Sequence, residues 1–245
     1  MKKYFYDFHI HSCLSPCGDD DNTPNNIAGM AKLNNLDVVA LTDHNSTKNC
    51  PAFFEAADRY GICPIAGMEL TTSEDIHVVC LFEELKKAME FDGMLQEHRT
   101  LIPNKKDIFG NQFILDGMDE IIGEEEYYLT NATDISYEEV KDYVEKYGGV
   151  SFPAHIDRQS NGVVAVLGTV PEKPEYECIE FNDSKKIDEY VKKYNLKDKT
   201  ILVNSDAHYL ENMREAENYI ELPDGLKNNK EIVAGIFRFL RGELL

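Results

Sequence analysis

Histidine and carboxylate side chains stand beside short apolar stretches throughout this chain of 245 residues. The first stretch runs into the segment "DFHIHS", residues 7–12. In a β-strand, residues i and i+2 point to the same side, so Asp7, His9 and His11 are predicted to share one face. Burial of an imidazole is unfavourable unless its nitrogens find partners. The two histidines therefore face water or hold a ligand.

Six of the seven histidines lie within or directly after such an apolar stretch: His9, His11, His44, His77, His155 and His208. Glu69 ends the segment "IAGME", and Asp206 lies two residues before His208. A single histidine at a strand end is most often a structural residue, but that explanation does not account for so many. Imidazoles and carboxylates are ligands for zinc, manganese and iron. Because one ion needs three or four protein ligands, the set predicts a site with several ions.

Seven apolar stretches have the length and composition of strands. They are "YFYDFHI", "LDVVALTD", "GICPIAGMEL", "IHVVCLF", "GGVSFPAH", "YECIEFN" and "TILVNSDAH". Helical patterns lie between most of them, and this alternation predicts a parallel sheet covered by helices. For seven strands in a chain of this length we expect a barrel or near-barrel, in which the C-terminal strand ends meet at one rim. The predicted ligands would meet there.

The helical patterns have recognisable ends. Threonine followed by proline at Thr23-Pro24 marks the start of one helix. A second covers residues 51–60 and stops at Gly61. A capping box at Ser136–Glu139 opens a third. Two more are predicted at residues 187–194 and 229–241.

Residues 83–135 interrupt the alternation of strands and helices, because they carry no clear strand–helix unit. We interpret them as an insertion after the fourth strand that forms a lid or a rim element. The sequence contains no internal repeat and no low-complexity linker. Residues 1–245 are therefore predicted to form a single domain.

The chain is acidic, with 45 acidic and 25 basic residues and a formal net charge of −20. It offers no basic patch that could neutralise phosphates, so we expect no stable binding of nucleic acid. Some of the carboxylates could instead gather around cations. No apolar stretch is long enough to cross a membrane or to form a signal peptide, which predicts a cytoplasmic protein without membrane contact. The oligomeric state is not specified by the sequence.

None of the six cysteines belongs to a CxxC pair, and a disulfide framework is not expected. Cys63, Cys80 and Cys178 lie in apolar strands, where a free cysteine is usually a small core residue. Cys13 and Cys17 lie close to the first histidines. Their thiolates are an alternative source of metal ligands.

The segments "DFHIHS", "TDHN", "GMEL", "IHVVCL", "PAH" and "SDAH" occur in this order along the chain. Together they resemble the PHP (polymerase and histidinol phosphatase) domain family, over essentially the whole chain apart from residues 83–135. The resemblance implies an α/β fold, a distorted seven-stranded (β/α) barrel of the TIM type. It also implies two or three divalent ions at the C-terminal rim and the activity of a stand-alone phosphoesterase.

The resemblance also assigns ligands to three ions of manganese, zinc or iron. They are His9, His11 and Asp206 for the first ion, His77 and His155 for the second, Glu69 as the bridge between these two, and His44 and His208 for the third. The family has a further histidine or aspartate in the segment "SPCGDDD". Among Cys17, Asp19, Asp20 and Asp21, Asp19 fits the family spacing from the following helix best.

Asp7 and Asp43 are predicted to orient the imidazoles rather than to bind ions. Arg158 lies three residues after His155, and its guanidinium is placed to hold a phosphate with two hydrogen bonds; a salt bridge at the rim is the alternative. Ser205, Asn182 and Ser184 are weaker candidates for contacts with the substrate.

Phosphoester hydrolysis fits this set of residues. Hydroxide activated by two ions would attack phosphorus, and the third ion would stabilise the leaving oxygen. Glu69, Asp206 and Arg158 are the predicted catalytic residues, and the predicted substrate is a small phosphorylated molecule such as a nucleotide. Two alternatives stay open: hydrolysis of a C–N bond, as in barrel amidohydrolases, and a metal-binding module without activity. The second would be expected to lack several ligands, and nearly all are present.

Overall fold

The computed structural model describes residues 1–243. Its strands are β1 (Lys2–Asp7), β2 (Val38–Leu41), β3 (Cys63–Thr71), β4 (His77–Phe82), β5 (Phe113–Leu115), β6 (Ile121–Glu124), β7 (Gly149–Pro153), β8 (Cys178–Phe181), β9 (Thr200–Val203) and β10 (Tyr219–Leu222). Its α-helices are α1 (Pro24–Leu33), α2 (Cys50–Tyr60), α3 (Leu85–Leu95), α4 (Lys106–Phe109), α5 (Tyr137–Lys146), α6 (Val163–Leu167), α7 (Ile187–Tyr194) and α8 (Asn229–Leu240). All seven predicted strands are present.

Six strands form one curled, half-barrel sheet in the order β10-β1-β2-β3-β4-β7. The strands β8 and β9 pair in parallel as a separate sheet, so a closed seven-stranded barrel is not confirmed. Single contacts extend the curl toward this pair. The amide of Ile156 donates to the carbonyl of Glu180, and the amide of His11 donates to the carbonyl of Ala207. The predicted α/β class is therefore confirmed, but single contacts rather than a continuous strand ladder join the six-stranded sheet to β8 and β9.

The prediction that all strands run in parallel is wrong for β4, which is antiparallel to both β3 and β7. Only residues 72–76 connect β3 with β4. A parallel connection needs about a dozen residues or more, so the chain can only turn back. As a result, His77 opens β4 instead of following it, and it pairs with Thr71 at the end of β3. The reversal brings His77 to the rim where the parallel strands end.

Buried apolar residues pack against both faces of the sheet. Val38 and Ala40 belong to a cluster that includes Ile236 and Phe237 of α8. The alternating residue Val39 packs into a second cluster with residues of α1, α2, α3 and α5. Alternate residues of a strand point to opposite faces, which explains this division. Both faces of β2 are therefore covered, and the polar site must lie at the strand ends.

The helix ends follow their sequence signals. The side chain of Thr23 accepts a hydrogen bond from the amide of Asn26, and Gly61 ends α2 with a φ of 70°. Ser136 and Glu139 form the predicted capping box of α5. The five predicted helices are confirmed, with bounds that differ by at most a few residues.

Residues 83–135 contain more regular structure than predicted. Helix α3 follows β4 directly and buries Ala88, Phe91 and Leu95, so the absence of a strand–helix unit is wrong here. Further along, β5 and β6 form an antiparallel pair. The amide of Phe113 donates to the carbonyl of Cys13, which places this pair beside the loop after the first histidines. The role of the segment as a lid remains a prediction.

Within residues 1–243, none of the helices combines the length and the apolar character that crossing a membrane requires.

Gly67 allows β3 and β4 to approach closely, two residues before Glu69. A methyl group at this position would lie 2.6 Å from the carbonyl oxygen of Cys80 and 3.1 Å from the Cγ2 of Thr42. We expect Gly67→Ala to lower the free energy of unfolding by about 1–3 kcal/mol, because the β4 backbone cannot yield easily. Urea unfolding followed by circular dichroism measures the change.

Gly93→Ala is the matched control, because Gly93 lies in α3 with open space around the position of the added methyl. Removal of a glycine from a helix should raise the stability by roughly 0.5–1 kcal/mol. Equal effects of the two substitutions would contradict the close approach of β3 and β4.

Candidate metal centre

Glu69 is a buried carboxylate surrounded by imidazoles. Its side chain is 1% exposed. Five histidine nitrogens lie within 3.3 Å of its two oxygens: His77 Nδ1 at 2.8 Å, His155 Nε2 at 2.9 Å and His9 Nε2 at 3.3 Å from Oε1, and His44 Nδ1 at 3.1 Å and His11 Nε2 at 3.3 Å from Oε2. The structure thus brings five of the predicted ligands around a sixth, Glu69.

Asp206 is the second carboxylate of the cluster. Its Oδ1 lies 3.2 Å from Nε2 of His11 and 3.5 Å from both Nε2 of His9 and Nδ1 of His208. Its Oδ2 lies 3.9 Å from Nε2 of His155. All the predicted ligands except Asp19 are therefore within reach of Glu69 or Asp206.

The strand ends place these side chains. His9 and His11 follow β1, His44 follows β2, and a bridge between His44 and Glu69 ties the end of β2 to β3. Two of the ligand positions have a left-handed backbone, with φ of 27° at His155 and 51° at Asp206. Residues other than glycine seldom adopt this conformation, because it crowds the Cβ atom. The chain therefore turns sharply at both positions, two residues after β7 and three residues after β9.

The nitrogen and oxygen atoms fall into three overlapping groups of ligand size, within each of which all atoms lie within 4.8 Å of one another. The groups are His9, His11, Glu69 and Asp206; His44, Glu69 and His77; and His11, His44 and His208. The first matches the predicted ligands of one ion, with Glu69 as its bridge. The other two differ from the prediction, since His44 joins Glu69 and His77, and His11 joins His44 and His208.

Several atoms of the cluster lack a partner in hydrogen-bond geometry among residues 1–243. They are Nδ1 of His44, Nδ1 of His77 and Oδ1 of Asp206, all of them buried. Unpartnered buried polar atoms are rare, because their desolvation is not repaid. A mixed set of imidazole and carboxylate ligands suits zinc, manganese or iron. The residues present therefore fit divalent ions.

The loop "SPCGDDD" contributes no member to these groups within the described part of the chain. Asp19 is half-buried, and its Oδ1 accepts a hydrogen bond from the amide of Asp21. The carboxylate of Asp20 accepts from Asn111, and Cys17 is exposed. The backbone amide of Asp19 does donate to the carbonyl of His208 at 2.9 Å, which keeps the loop beside the cluster. Asp19 as a ligand stays a prediction.

The carboxylates raise the pKa of two histidines. Burial lowers the pKa of His9, but the negative charges of Glu180, Glu69 and Asp206 outweigh it and hold that pKa well above its usual value. Burial opposes the same effect at His11, where Asp206 and Glu69 raise the pKa to about 9. Without bound ions, both imidazoles are therefore protonated at neutral pH.

Other members of the cluster shift in the opposite direction. Burial lowers the pKa of His208 to about 4 and that of His44 well below its usual value. Burial alone would raise the pKa of Glu69, but the neighbouring imidazoles, His77 first, hold it well below the usual range. The cluster thus combines ionised carboxylates with neutral and protonated imidazoles, and its neutral imidazoles are ready to bind cations.

The aspartates expected to orient imidazoles do so only in part. Asp43 accepts hydrogen bonds from the hydroxyls of Ser12 and Ser15, each at 2.7 Å, and Ser15 in turn contacts Nδ1 of His11 at 3.0 Å. Asp7 instead accepts from backbone amides, among them that of Ser205 at 3.0 Å. β1 ends at Asp7, so the expected shared face with His9 is interrupted at that point. Asp7 holds the backbone of the rim.

Glu180 was not singled out in the sequence, yet it is fully buried and contacts Nδ1 of His9 at 3.0 Å. Its only signal is a charged residue inside the apolar strand "YECIEFN". A buried charge needs a partner, so this position could have been identified as polar and functional, but not its partner.

Arg158 reaches the cluster from the rim. Its Nη1 lies 2.5 Å from Oδ2 of Asp206, and its side chain is 44% exposed. Of the weaker candidates, Ser205 donates to the carbonyl of His9 and Asn182 donates to the carbonyls of Asn204 and Ser205, so both hold the backbone. Ser184 is exposed.

Two of the proteins to which this chain is similar are considerably longer than the part that it matches. The chain is 30% identical over 100 residues to an uncharacterized protein of Methanocaldococcus jannaschii, a match that covers 37% of this chain and 58% of the relative. The lesion-specific endonuclease Q of Pyrococcus furiosus superposes with a TM-score of 0.68 and 18% identity, over 98% of this chain and 56% of the endonuclease. The chain therefore spans a little over half of the length of these two proteins.

Two further structures are similar. Endonuclease Q in complex with a 27-mer duplex that carries an abasic lesion has a TM-score of 0.67 and 18% identity, over 98% of this chain and 57% of the endonuclease. A protein of Bifidobacterium adolescentis, provisionally described as a metal-dependent phosphoesterase, has a TM-score of 0.59 and 16% identity, over 96% of both chains. At such identities these likenesses concern the fold.

The sequence match to a family is more extensive. The family model described as PHP domain matches residues 7–205, which include every histidine and carboxylate of the cluster except Asp206 and His208. This match covers most of the chain and confirms the resemblance found in the sequence. The chain belongs to the PHP domain family.

Proposed function

We propose that this protein is a metal-dependent hydrolase that cleaves phosphoester bonds. The observation that carries the proposal is the convergence of five imidazole nitrogens on the carboxylate of Glu69. An arrangement so rich in buried donors suits cations better than it suits a folded core, where fewer polar groups and more apolar contacts would give the same stability. Membership of the PHP domain family supports the same conclusion.

Three divalent ions of manganese, zinc or iron would be held by the cluster. We assign His9, His11 and Asp206 to the first ion, His77 and His155 to the second, Glu69 to the bridge between them, and His44 and His208 to the third, with Asp19 as a candidate for the remaining ligand. Bound there, such ions would activate water and offset the charge of a phosphoryl group.

The chain's own residues would contribute position and charge. Glu69 and Asp206 supply negative charge that fixes the cations at the floor of the site, 1% and 4% exposed. The half-exposed guanidinium of Arg158 is long enough to leave Asp206 and to hold a phosphate oxygen at the rim. These roles make Glu69, Asp206 and Arg158 the catalytic residues of the proposal.

The substrate we infer is a small phosphoester, such as a nucleotide. The net charge of −20 favours a small molecule, because binding to a nucleic-acid backbone requires lysine and arginine to neutralise its phosphates. The DNA complex of endonuclease Q is in tension with this inference. It makes a nucleic-acid phosphodiester the second candidate substrate, in a protein of which this chain spans only 57%.

A comparison of substrates tests the proposal. The manganese-loaded protein is incubated with phosphorylated metabolites, with small phosphodiesters, with cyclic and linear amides, and with duplex DNA with and without an abasic lesion. We expect turnover of small phosphoesters. Turnover of amides alone would replace the proposal with C–N bond hydrolysis, cleavage of DNA alone would replace the substrate, and no turnover with fully bound metal would favour a module without activity.

The metal content of the purified protein tests the site with three ions. Protein purified without chelators should carry well over one equivalent of divalent metal by elemental analysis, about three when saturated, because the cluster offers donors for several ions. One equivalent or less would contradict the site with three ions.

Metal binding should also release protons. His9 and His11 carry protons at neutral pH in the ion-free protein, and a ligand nitrogen must lose its proton. Affinity should therefore increase as pH rises toward the pKa of His11, about 9. Calorimetric titration in two buffers of different protonation enthalpy measures the protons released. Identical heats in both buffers would contradict the protonated state.

Glu69→Gln should reduce kcat by a large factor and lower the metal content, while the fold persists. The neutral amide removes a negative charge from the centre of the cluster and cannot bridge two cations. Elemental analysis and steady-state kinetics measure both effects, and circular dichroism reports on the fold. Glu221→Gln, on an exposed position of β10, is the matched control. Unchanged kcat and metal content in Glu69→Gln would exclude Glu69 as the bridge.

Arg158→Ala should lower kcat/KM by roughly 10²-fold or more and leave the metal content unchanged, because a charge-assisted contact to the phosphoryl group is lost. Arg158→Lys should recover only part of this loss, since lysine keeps the positive charge but cannot form the paired hydrogen bonds of a guanidinium. Arg241→Ala, which removes an arginine beside Gly148 at the far end of β7, is the control. Normal turnover by Arg158→Ala would leave the salt bridge with Asp206 as the role of this residue.

A further inference from the structure

Glu180 lies in the interior of the curled sheet, away from bulk solvent. It is 0% exposed and occupies the third position of β8. Cys178, two residues earlier, packs into the cluster with α8, and the alternation of a strand points Glu180 to the same face. On this face of β8, the carboxylate of Glu180 therefore lies nearer to the rim than the side chain of Cys178.

The contacts of Glu180 all lead to segments that carry predicted ligands. Both of its oxygens lie 3.0 Å from Nδ1 of His9, after β1. Its Oε1 also accepts a hydrogen bond from the backbone amide of His155 at 3.3 Å, after β7. Its Oε2 accepts from Nδ2 of Asn204 at 3.2 Å, two residues before Asp206. One side chain therefore joins three of the strand ends that form the site.

The opposite nitrogen of His9 faces the cluster. Its Nε2 lies 3.3 Å from Glu69 and 3.5 Å from Asp206, on the side where an ion would be held. A histidine can present either nitrogen to a metal, and the hydrogen bond made by the other nitrogen decides which one is free. Glu180 accepts only from a protonated nitrogen, so it leaves Nε2 as the donor to an ion.

We propose that Glu180 is a positioning residue of the metal centre, which fixes the ring orientation and tautomer of His9. The proposal rests on the metal-binding part of the proposed function and not on the phosphoester substrate. An apolar side chain of similar size could fill the same space without the need for compensating donors. The chain instead places a carboxylate with four polar contacts there. Both of its oxygens contact Nδ1 of His9, a predicted metal ligand.

Glu180→Gln tests the proposal by metal affinity in the absence of any substrate. Calorimetric titration of the metal-free protein with zinc should show the tightest class of sites weakened by about 10–100-fold, the usual effect of losing an outer partner of a ligand histidine. In the zinc-loaded wild type, ¹⁵N-histidine NMR should show His9 with a protonated Nδ1, and this signal should be lost in Glu180→Gln. Glu177→Gln, three residues earlier and exposed, should change neither measurement.

A double-mutant cycle separates positioning of His9 from general support of the fold. In a His9→Gln background, Glu180→Gln should cause little further loss of zinc affinity. An equal loss in both backgrounds, or no loss beside an intact His9, would overturn the proposal. If circular dichroism shows that Glu180→Gln does not fold, Glu180→Asp takes its place in the same cycle, since it keeps the charge but withdraws it from Nδ1.

Zinc binding by the wild type distinguishes failure of this proposal from failure of the proposed function. A wild-type protein that binds no zinc contradicts the metal centre itself. A wild type that binds zinc, with Glu180→Gln binding it equally well, contradicts only the role of Glu180.

Discussion

The attraction between the carboxylate of Glu69 and the imidazoles around it is the interaction on which the site depends. A buried carboxylate without partners is strongly unfavourable, and so is a group of buried protonated imidazoles without counter-charges. Each compensates the other here, but only in part, since the pKa of His44 is pushed well below its usual value by burial. Buried nitrogen and oxygen atoms without a hydrogen-bond partner remain. Divalent cations can bind both kinds of atom at the same time.

This concentration of charge constrains the backbone. The ligands come from the ends of six strands, β1, β2, β3, β4, β7 and β9, and the fold must bring all of them to one rim. The reversal of β4 places His77 beside the end of β3, and the left-handed backbone at His155 and Asp206 turns the chain sharply where β7 and β9 end. Glu180 ties three of these ends together from below. The apolar residues under the rim, packed on α8, provide the rigid support that such a site needs.

The identity of the candidate site could be predicted from the sequence because it rests on residue types at strand ends. His9, His44 and Glu69 follow apolar stretches directly, and their convergence follows from the geometry of parallel strands. The reversal of β4 could have been inferred from the short connection before His77, whereas the regular structure of α3 was obscured by its polar residues. The partner of Glu180 could not be predicted, because it depends on a contact across 171 positions of the chain.

The most direct test is anomalous diffraction from a crystal of the full chain grown with manganese. We expect anomalous peaks bounded by Glu69, Asp206, His9 and His11, with further peaks beside His77 and His208. The imidazole nitrogens should point at these peaks rather than at the carboxylate oxygens. A map without manganese within bonding distance of Glu69, in which the histidines still contact the carboxylate directly, would contradict this expectation. The cluster would then be a hydrogen-bonded polar core and not a metal centre.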